Sequence, residues 1–307
     1  MGSFKNNLPE ELAELLRDGE HIREKFYRGR FAPSPSGTLH LGNLRTALLS
    51  WLRARLCGGE WLLRIDDLDA PRNRSGAVES IQKDLCWLGL DWDGPIIFQS
   101  QRRNLYESVL STLKIQGNLY PCRCSRRVLA QSHVSNRQDF VYPGTCRDLG
   151  LSWSRIDGRL PSLRLIVGKN FSITSGDVLL RRADGLPAYH LATVSDELFL
   201  GIREVVRGKD LAHAMHSQLA VFDALNQKPV NYLHAPLFLS ADGIKLSKRE
   251  GGYGVLSLQE QGMKAPKAIG FLASSLDLVP DSSELSALEL LSEFRKNKSF
   301  IDGVLSA

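Results

Sequence analysis

No stretch of the 307-residue sequence is apolar over the roughly 18 consecutive residues that a membrane-spanning helix needs. The N-terminus also lacks an apolar core of the signal-peptide kind. Cysteine is scarce and odd in number, with five residues in the whole chain, which excludes a disulfide-stapled secreted domain. We therefore expect a cytoplasmic protein without a membrane partner.

Two common phosphate-binding motifs are also absent. The sequence contains neither G-x-G-x-x-G nor the P-loop pattern G-x-x-x-x-G-K-[ST]. It has no internal repeats and no low-complexity segment. Its composition, 43% hydrophobic and 24% charged, is that of a globular protein whose length allows two domains.

Positive charge is concentrated in one part of the chain. The net charge is +5, and residues 101–182 alone contain 14 Lys and Arg against 5 Asp and Glu. Such a segment suits a polyanion such as nucleic acid. A solvated arginine-rich surface is the alternative, and charge alone does not decide between the two.

Strand patterns alternate with helix patterns in the first hundred residues, which predicts an α/β protein with a doubly wound, Rossmann-type parallel sheet. The strands YRGRFAP and EWLLRID are each followed by a helix, and the first helix has Leu44, Ala47, Leu48, Trp51 and Leu52 on one face. Strand-like pieces follow at LRLIV, DVLLRR, AYHLATV, LFLGIREVV and PLFLS, with a helix over 209–226.

These patterns predict a domain order. We expect a peripheral N-terminal helical extension over 1–26, with Leu12, Leu15, Leu16 and Ile22 as its apolar positions. The first half of the Rossmann-type domain follows over 27–114, then an inserted subdomain over 115–180, the second half over 181–254, and a short helical segment over 255–307.

The turn RFAPSPSGTLHLGN, residues 30–43, joins the first strand to its helix. In doubly wound folds this position, the carboxyl end of the first strand, binds phosphates. Gly42 would let a ligand approach the helix backbone, and His40 could donate to a phosphate. An ordinary turn with a surface histidine is the alternative.

A second motif lies late in the chain, on a glycine-flanked loop. Lys245, Lys248 and Arg249 place three cations within five residues, around Ser247. Such a loop suits a triphosphate whose negative charge grows in a transition state. A solvated basic loop is the alternative.

Together the two motifs resemble the paired signatures of class I aminoacyl-tRNA synthetases. In this chain, His40-Leu41-Gly42-Asn43 is similar to the first signature, and Lys245-Leu246-Ser247-Lys248-Arg249 is similar to the second. Asn43, Leu246 and Arg249 depart from the usual residues. The stretches RFAPSPSG, RIDDLD, LPAYH and EVVRGKD narrow the resemblance to the glutamyl and glutaminyl branch and extend it over roughly 28–255.

The resemblance implies that the protein activates L-glutamate with ATP and Mg²⁺. The residues implied around the amino acid are Arg30, Phe31, Ala32, Pro33, Ser34, Asp66, Tyr189 and Arg207. Those implied at ATP are His40, Gly42, Asn43, Lys245, Ser247 and Lys248, with His40 and Lys248 catalytic.

The charges of these residues agree with glutamate. Its two carboxylates suit Arg30 and Arg207, and its ammonium suits Asp66. Relatives usually carry glutamate at the position of Asp66. A carboxylate that is simply paired with Arg64 or Arg72 is the alternative.

Three cysteines of the inserted segment, Cys122, Cys124 and Cys146, fall within 25 residues, a pattern typical of a structural zinc site. From residue chemistry alone the fourth ligand would be His133 or a water, and three free thiols are the alternative. The spacing also resembles the zinc site of glutamyl-queuosine tRNA(Asp) synthetases. That resemblance implies one Zn²⁺ with Tyr142 as the fourth ligand.

Four other potential metal ligands are assigned no metal. Cys57 and Cys86 fall on apolar helix faces and are predicted to be core residues. His213 and His216 form H-x-x-H without a third ligand nearby, so we expect an ordinary histidine pair.

Only 59 residues follow Lys248, too few for the anticodon-reading domains of glutamyl- and glutaminyl-tRNA synthetases. This organisation resembles the glutamyl-queuosine tRNA(Asp) synthetases, which attach glutamate to queuosine in the tRNA(Asp) anticodon. Thr193, where tRNA-charging relatives usually carry asparagine, agrees. The implied partners are glutamate, ATP and the tRNA(Asp) anticodon stem-loop bearing queuosine, bound by a monomer. Two alternatives are a truncated glutamyl-tRNA synthetase that charges a tRNA 3′ end and a non-catalytic, zinc-containing RNA-binding relative.

Overall fold

The computed structural model of the chain describes residues 9–131, 141–168, 176–236 and 254–296. The chain divides into two compact units. The parallel-sheet unit comprises 22–99, 202–212 and the chain from 230 onward, and the cysteine-bearing unit comprises the chain up to 21, 100–201 and 213–229. The predicted insertion, 115–180, falls inside the cysteine-bearing unit.

The elements alternate along the chain. The strands are β1 (Arg28–Phe31), β2 (Glu60–Ile65), β3 (Ile97–Phe98), β4 (Leu119–Cys122), β5 (Ser162–Leu165), β6 (Val178–Arg181), β7 (Glu204–Gly208) and β8 (Asn231–Ala235). The helices are α1 (Glu10–Lys25), α2 (Leu41–Leu56), α3 (Ala77–Leu88), α4 (Arg103–Ile115), α5 (Arg126–Gln131), α6 (Tyr189–Phe199), α7 (Ala214–Ala224), α8 (Val255–Glu260), α9 (Ala265–Ser274) and α10 (Ala287–Phe294).

In the described residues of the parallel-sheet unit, the strand pairs are parallel: β1 with β2, β2 with β3, and β7 with β8. Two hydrogen bonds bring β7 beside β1. The Arg203 N–H donates to the Arg28 carbonyl at 2.9 Å, and Arg30 Nη1 donates to the Val206 carbonyl at 3.2 Å. In space the strands therefore follow the order β3-β2-β1-β7-β8, in which β7 contacts β1 without a strand ladder between them. This arrangement confirms an α/β fold with a parallel sheet.

Helix α2 forms the centre of the core of this unit. All five of its predicted apolar positions, Leu44, Ala47, Leu48, Trp51 and Leu52, are fully buried. Helices α9 and α10 pack against α2. Helices dominate the described part of the C-terminal segment, 254–296, as predicted.

In the cysteine-bearing unit, β4, β5 and β6 form an antiparallel sheet. The N-terminal helix is packed into this unit rather than peripheral. Leu12 and Leu16 are buried, and a side chain at Gly19 would lie 2.0 Å from the Leu198 carbonyl oxygen of α6. Leu15 and Ile22, also predicted as apolar positions, are half-buried.

The segment AYHLATV was predicted to be a strand, and that prediction is wrong, because these residues begin helix α6. Nine consecutive residues of α6, Leu191 to Phe199, are buried, so the helix lacks the polar face by which a helical period is recognised. The segment LFLGIREVV divides between the end of α6 and β7, and the predicted strand PLFLS lies outside the described residues after its first position.

The prediction that Cys57 and Cys86 are core residues is also wrong, because both thiols are exposed. Cys57 is the C-cap of α2, and Cys86 lies on the face of α3 away from its buried Ile81, Leu85 and Leu88. Within the described ranges, no helix is both long and apolar enough to cross a membrane.

Candidate active site and candidate metal centre

Two of the predicted glutamate ligands, Arg30 and Arg207, lie at the carboxyl ends of β1 and β7. The strand order reverses between these two strands, and such switch points are where open parallel sheets bind ligands. Both side chains are buried, with exposed fractions of 5% for Arg30 and 3% for Arg207. Arg30 is bonded to the carbonyl of Val206, the residue that precedes Arg207.

Strand β8 holds Arg207 in place. The parallel register sets Arg207 opposite His234, and its Nε–H donates to His234 Nε2 at 3.3 Å. The guanidinium also lies over the ring of Tyr232, 4.6 Å from the centroid, and the rings of Tyr232 and His234 stack. Burial, together with the charges of Arg207 and Lys209, lowers the pKa of His234 below its usual value, so the imidazole is neutral and can accept.

Sequence reasoning missed Tyr232 and His234. The available signal was the segment NYLHA, whose alternation places these two side chains on one face of a strand.

Asp66 follows β2 at the same edge of the sheet. Its carboxylate forms a two-armed ion pair with Arg64, with Nε to Oδ1 at 2.7 Å and Nη2 to Oδ2 at 3.3 Å. The pairing with Arg64 that was the alternative interpretation is therefore present. This ion pair fixes the orientation of the Asp66 carboxylate at the end of β2.

The segment between β1 and α2 contributes to the candidate glutamate site with its backbone more than with its side chains. The Phe31 ring stacks on Trp61 in the core, with centroids 6.1 Å apart. The Pro33 carbonyl accepts from the Asp66 N–H at 3.0 Å, which ties the ends of β1 and β2 together. Pro33 is buried, Ala32 is half-buried and Ser34 is exposed.

His40 caps the N-terminus of α2. Its Nδ1 accepts from the Asn43 N–H at 3.2 Å, and the Asn43 Oδ1 accepts from the His40 N–H at 3.3 Å. Asn43, which departs from the family signature, thus completes a reciprocal capping box.

This cap assigns the tautomer of His40. Because Nδ1 accepts, a neutral ring carries its proton on Nε2, which is a donor. Gly42 makes room for the ring, since a Cβ there would lie 3.0 Å from His40 Cε1. A donor at a helix N-terminus suits a phosphate.

One further predicted glutamate ligand has a described position. Tyr189 belongs to the cysteine-bearing unit, where it is the first residue of α6 and is 40% exposed. Lys245, Ser247 and Lys248 lie outside the described residues, as does His133. His213 and His216 are exposed, as an ordinary histidine pair would be.

The cysteine-bearing unit assembles all four predicted metal ligands. The sulfurs of Cys122, Cys124 and Cys146 lie within 4.8 Å of one another. Tyr142 Oη is 3.3 Å from Cys122 Sγ and 3.5 Å from Cys124 Sγ. Tetrahedral zinc with bonds of about 2.3 Å to sulfur sets its sulfur ligands about 3.8 Å apart, so this donor set fits zinc.

The backbone fixes Tyr142 within this cluster. Its phenol oxygen accepts from the Cys146 N–H at 3.1 Å. Gly176, in the left-handed region at φ +57°, pairs with Tyr142, and a Cβ there would lie 2.4 Å from the Tyr142 carbonyl oxygen. The ring position therefore depends on a glycine 34 residues away in the sequence.

Two of the four candidate ligands, Cys124 and Tyr142, have raised pKa values. Burial raises the pKa of the Cys124 thiol to about 11, and burial with hydrogen bonds to the three cysteines raises the pKa of Tyr142. Burial also opposes ionisation of Cys146, but hydrogen bonds from the Arg123 backbone and Tyr142 outweigh it and lower the pKa of that thiol. Metal binding would have to displace the protons of Cys124 and Tyr142.

Arg164 lies against this cluster from β5 and was not predicted from the sequence. Its Nε donates to Cys122 Sγ at 3.4 Å, and its guanidinium lies 3.6 Å from the centroid of the Tyr142 ring. The only signal in the sequence is an arginine in the middle of the apolar strand LRLIV.

The chain matches a known family over most of its length. The family is described as tRNA synthetases class I (E and Q), catalytic domain, and it matches residues 27–152 and 155–273. A relative from Prochlorococcus marinus (strain MIT 9313), named glutamyl-Q tRNA(Asp) synthetase, is 59% identical over 97% of both chains. One of the same name from Nocardia farcinica (strain IFM 10152) is 43% identical over 87% of this chain and 88% of its own.

A solved structure supports the fold match. The crystal structure of a glutamate tRNA ligase from Elizabethkingia meningosepticum, in complex with its amino acid, is 25% identical with a TM-score of 0.70. The match covers 87% of this chain and 64% of the ligase.

Proposed function

This chain belongs to the class I tRNA synthetases of the E and Q type, and we propose that it activates L-glutamate with ATP and transfers it to queuosine in the anticodon of tRNA(Asp). The observation that carries this function is the 59% identity, over 97% of both chains, to a glutamyl-Q tRNA(Asp) synthetase. Because its acceptor is tRNA, the proposed enzyme acts in the cytoplasm, and it acts as a monomer.

Glutamate recognition falls to Arg30 and Arg207, whose guanidinium groups match carboxylates in two-armed fashion. Both are buried at the strand switch point, where their charges are screened less than in water. Asp66, oriented by Arg64, takes the ammonium group. The backbone of 31–34 lines this site, and the role of Tyr189 stays a prediction from its motif.

In the activation step, a carboxylate oxygen of glutamate attacks the α-phosphorus of ATP. A new O–P bond forms, the bond from the α-phosphorus to the bridging oxygen breaks, and pyrophosphate leaves. Mg²⁺ would supply positive charge at the phosphates. No side-chain nucleophile is needed, so catalysis rests on positioning and charge stabilisation.

We assign the phosphate contacts to the two signature motifs. His40 Nε2–H donates to a phosphate oxygen, and the nucleotide approaches the N-terminus of α2 at Gly42, while Asn43 holds the His40 ring in the capping box. Lys245, Ser247 and Lys248 bind the phosphates whose negative charge grows as pyrophosphate departs.

In the transfer step, a hydroxyl of the queuosine ring attacks the carbonyl carbon of glutamyl-adenylate. An ester bond forms and AMP leaves. The basic segment 101–182 supplies the charge that holds the phosphates of the anticodon stem-loop. Single-stranded loops with splayed bases are the usual sites of specific RNA recognition.

Cys122, Cys124, Cys146 and Tyr142 would hold one structural Zn²⁺ in the inserted subdomain. The metal would supply folding energy to the loops that carry these ligands and would take no part in the chemistry.

The test is aminoacylation with labelled glutamate, using tRNA(Asp) with queuosine and the same tRNA with guanosine at that position. We expect label only on the queuosine-containing tRNA, and ATP–pyrophosphate exchange that depends on glutamate without any tRNA. Equal labelling of both tRNAs would instead indicate a glutamyl-tRNA synthetase that charges the 3′ end. No exchange at all would indicate a non-catalytic RNA-binding relative.

A further inference from the structure

A buried cation faces the cysteine cluster. Arg164 is only 8% exposed, and its guanidinium reaches Cys122 Sγ and the Tyr142 ring. Arginine keeps its charge in proteins, and a buried charge is costly unless an opposite charge accompanies it.

No carboxylate in the described part of the chain forms an ion pair with Arg164, and the Asp177 carboxylate pairs with Arg147 instead. Asp177 contacts Arg164 through its backbone carbonyl, which accepts from Nη1 at 2.8 Å. The Asp177 carboxylate is directed elsewhere: it accepts from Tyr120 at 2.6 Å, from the Val167 N–H at 3.0 Å and from Arg147, with which it forms an ion pair.

The missing negative charge is available from the cysteines themselves. Three thiolates around Zn²⁺ carry a net charge of −1, and an ionised Tyr142 would make it −2, so the guanidinium offsets negative charge of the loaded site in either case. Resting on the proposed zinc site, we propose that Arg164 is its counter-cation and positioning residue, stabilising the Cys122 thiolate by a charge-assisted hydrogen bond and fixing the Tyr142 ring by stacking.

The geometry suits such a role. Strand register sets Arg164 opposite Tyr120, two residues before Cys122 on β4, so Nε reaches the sulfur diagonally across the two strands. The Asp177 carbonyl anchors the far side of the guanidinium. Outer partners of this kind orient metal ligands, and their loss typically lowers metal affinity about 10–100-fold.

The test compares the full-length wild type with Arg164→Gln, which removes the charge, and Arg164→Lys, which keeps it. Arg181→Gln is the matched control, since Arg181 lies on the neighbouring strand β6 and donates to the Pro161 carbonyl, with no cysteine contact. Zinc affinity is measured by competition with a chromogenic chelator. We expect a loss of about 10–100-fold for Arg164→Gln, a smaller loss for Arg164→Lys and none for the control.

Substitution of Co²⁺ for zinc gives an absorption band whose energy depends on the charge beside the sulfur ligands and not on a general loosening of the fold. A cationic donor lowers the energy of the sulfur lone pairs, so Arg164→Gln should shift the sulfur-to-Co²⁺ charge-transfer band to lower energy. Arg181→Gln should leave the band in place. Wild-type zinc affinity and an unshifted band in Arg164→Gln would overturn the assignment.

Two other outcomes are also decisive. If Arg164→Gln fails to fold, Arg164→Lys decides the matter, because a loss of more than about tenfold despite the retained charge would contradict a counter-cation. If the wild type binds no zinc, the proposed metal site itself is wrong. Zinc binding by the wild type that is indifferent to Arg164 would refute only the role of this arginine.

Discussion

Each unit of the molecule contains an arginine stacked on a tyrosine, and the two residues exchange roles between the two pairs. In the cysteine-bearing unit, Arg164 lies 3.6 Å from the centroid of Tyr142, and the tyrosine is the proposed ligand. In the parallel-sheet unit, Arg207 lies 4.6 Å from the centroid of Tyr232, and the arginine is the proposed ligand. The same contact can therefore support either partner.

The neighbours of each pair decide which partner binds. Tyr142 is surrounded by three thiols, which are metal ligands, so the arginine there supplies charge to a cation site. Arg207 is flanked on β8 by a neutral histidine, which accepts its Nε–H, and by the ring of Tyr232. A buried guanidinium at the end of a parallel strand suits the carboxylate of an anionic substrate.

The largest expected effect is a loss of glutamate activation without a change in zinc binding. Lys248→Ala should lower the rate of glutamate-dependent pyrophosphate exchange by about 10²–10³, because it removes a donor to the departing phosphates. Its zinc content should stay at the wild-type value. Lys83→Ala, at an exposed position of α3, is the control. Near-normal exchange in Lys248→Ala would remove that lysine from the mechanism.

The next largest effect is expected at the cysteine cluster. Cys146→Ser should weaken zinc binding at least as much as the loss of an outer partner, about 10–100-fold, and should reduce transfer to tRNA. Glutamate-dependent exchange should persist, because all the activation residues with described positions except Tyr189 belong to the other unit. Cys86→Ser, an exposed thiol, should change neither property. Unchanged zinc content in Cys146→Ser would refute the metal assignment.

A smaller effect tests Arg207 as the substrate ligand. Arg207→Lys keeps the charge but loses the planar fork and the stack on Tyr232, so KM for glutamate should rise about tenfold, the equivalent of one hydrogen bond. The rate at saturating glutamate should change less. A fall in kcat with constant KM would show that Arg207 acts on the phosphates instead.

The smallest effect concerns pH and His234. Its pKa is lowered, so the ring accepts from Arg207 at neutral pH and takes up a proton only when pH falls below its usual range. Protonation removes the acceptor and adds a charge beside Arg207, so KM for glutamate should rise a few-fold as the solution is acidified. In His234→Gln, which cannot titrate, this rise should be absent between pH 5 and 7. Identical pH profiles would exclude the histidine.

Signature motifs and helix faces could be predicted from the sequence because their information is local. The buried face of α2 and the turn at His40 each lie within about four helical turns of sequence. The partners of the site residues could not be predicted in this way. Arg164 meets a cysteine 42 positions away, and His234 meets an arginine 27 positions away, through strand pairings that no local pattern specifies.

The prediction of a strand in the segment that forms helix α6 was wrong for a different reason. It contains Thr193, Ser195, Asp196 and Glu197 on a fully buried surface, so polarity along the segment says nothing about exposure. Asp196 is buried because Tyr106 and Arg102 satisfy its carboxylate, and both lie about 90 residues earlier in the chain. The burial of these polar residues can therefore be explained only from their tertiary contacts.

The destination of the glutamate is the central claim, and one measurement tests it directly. Labelled glutamate and ATP are supplied with queuosine-containing tRNA(Asp) from which the 3′-terminal adenosine has been removed. Intact tRNA(Asp) with guanosine in place of queuosine is the matched comparison. We predict that the truncated, queuosine-containing tRNA is labelled and the intact guanosine form is not. Labelling that requires the terminal adenosine and ignores queuosine would contradict this account.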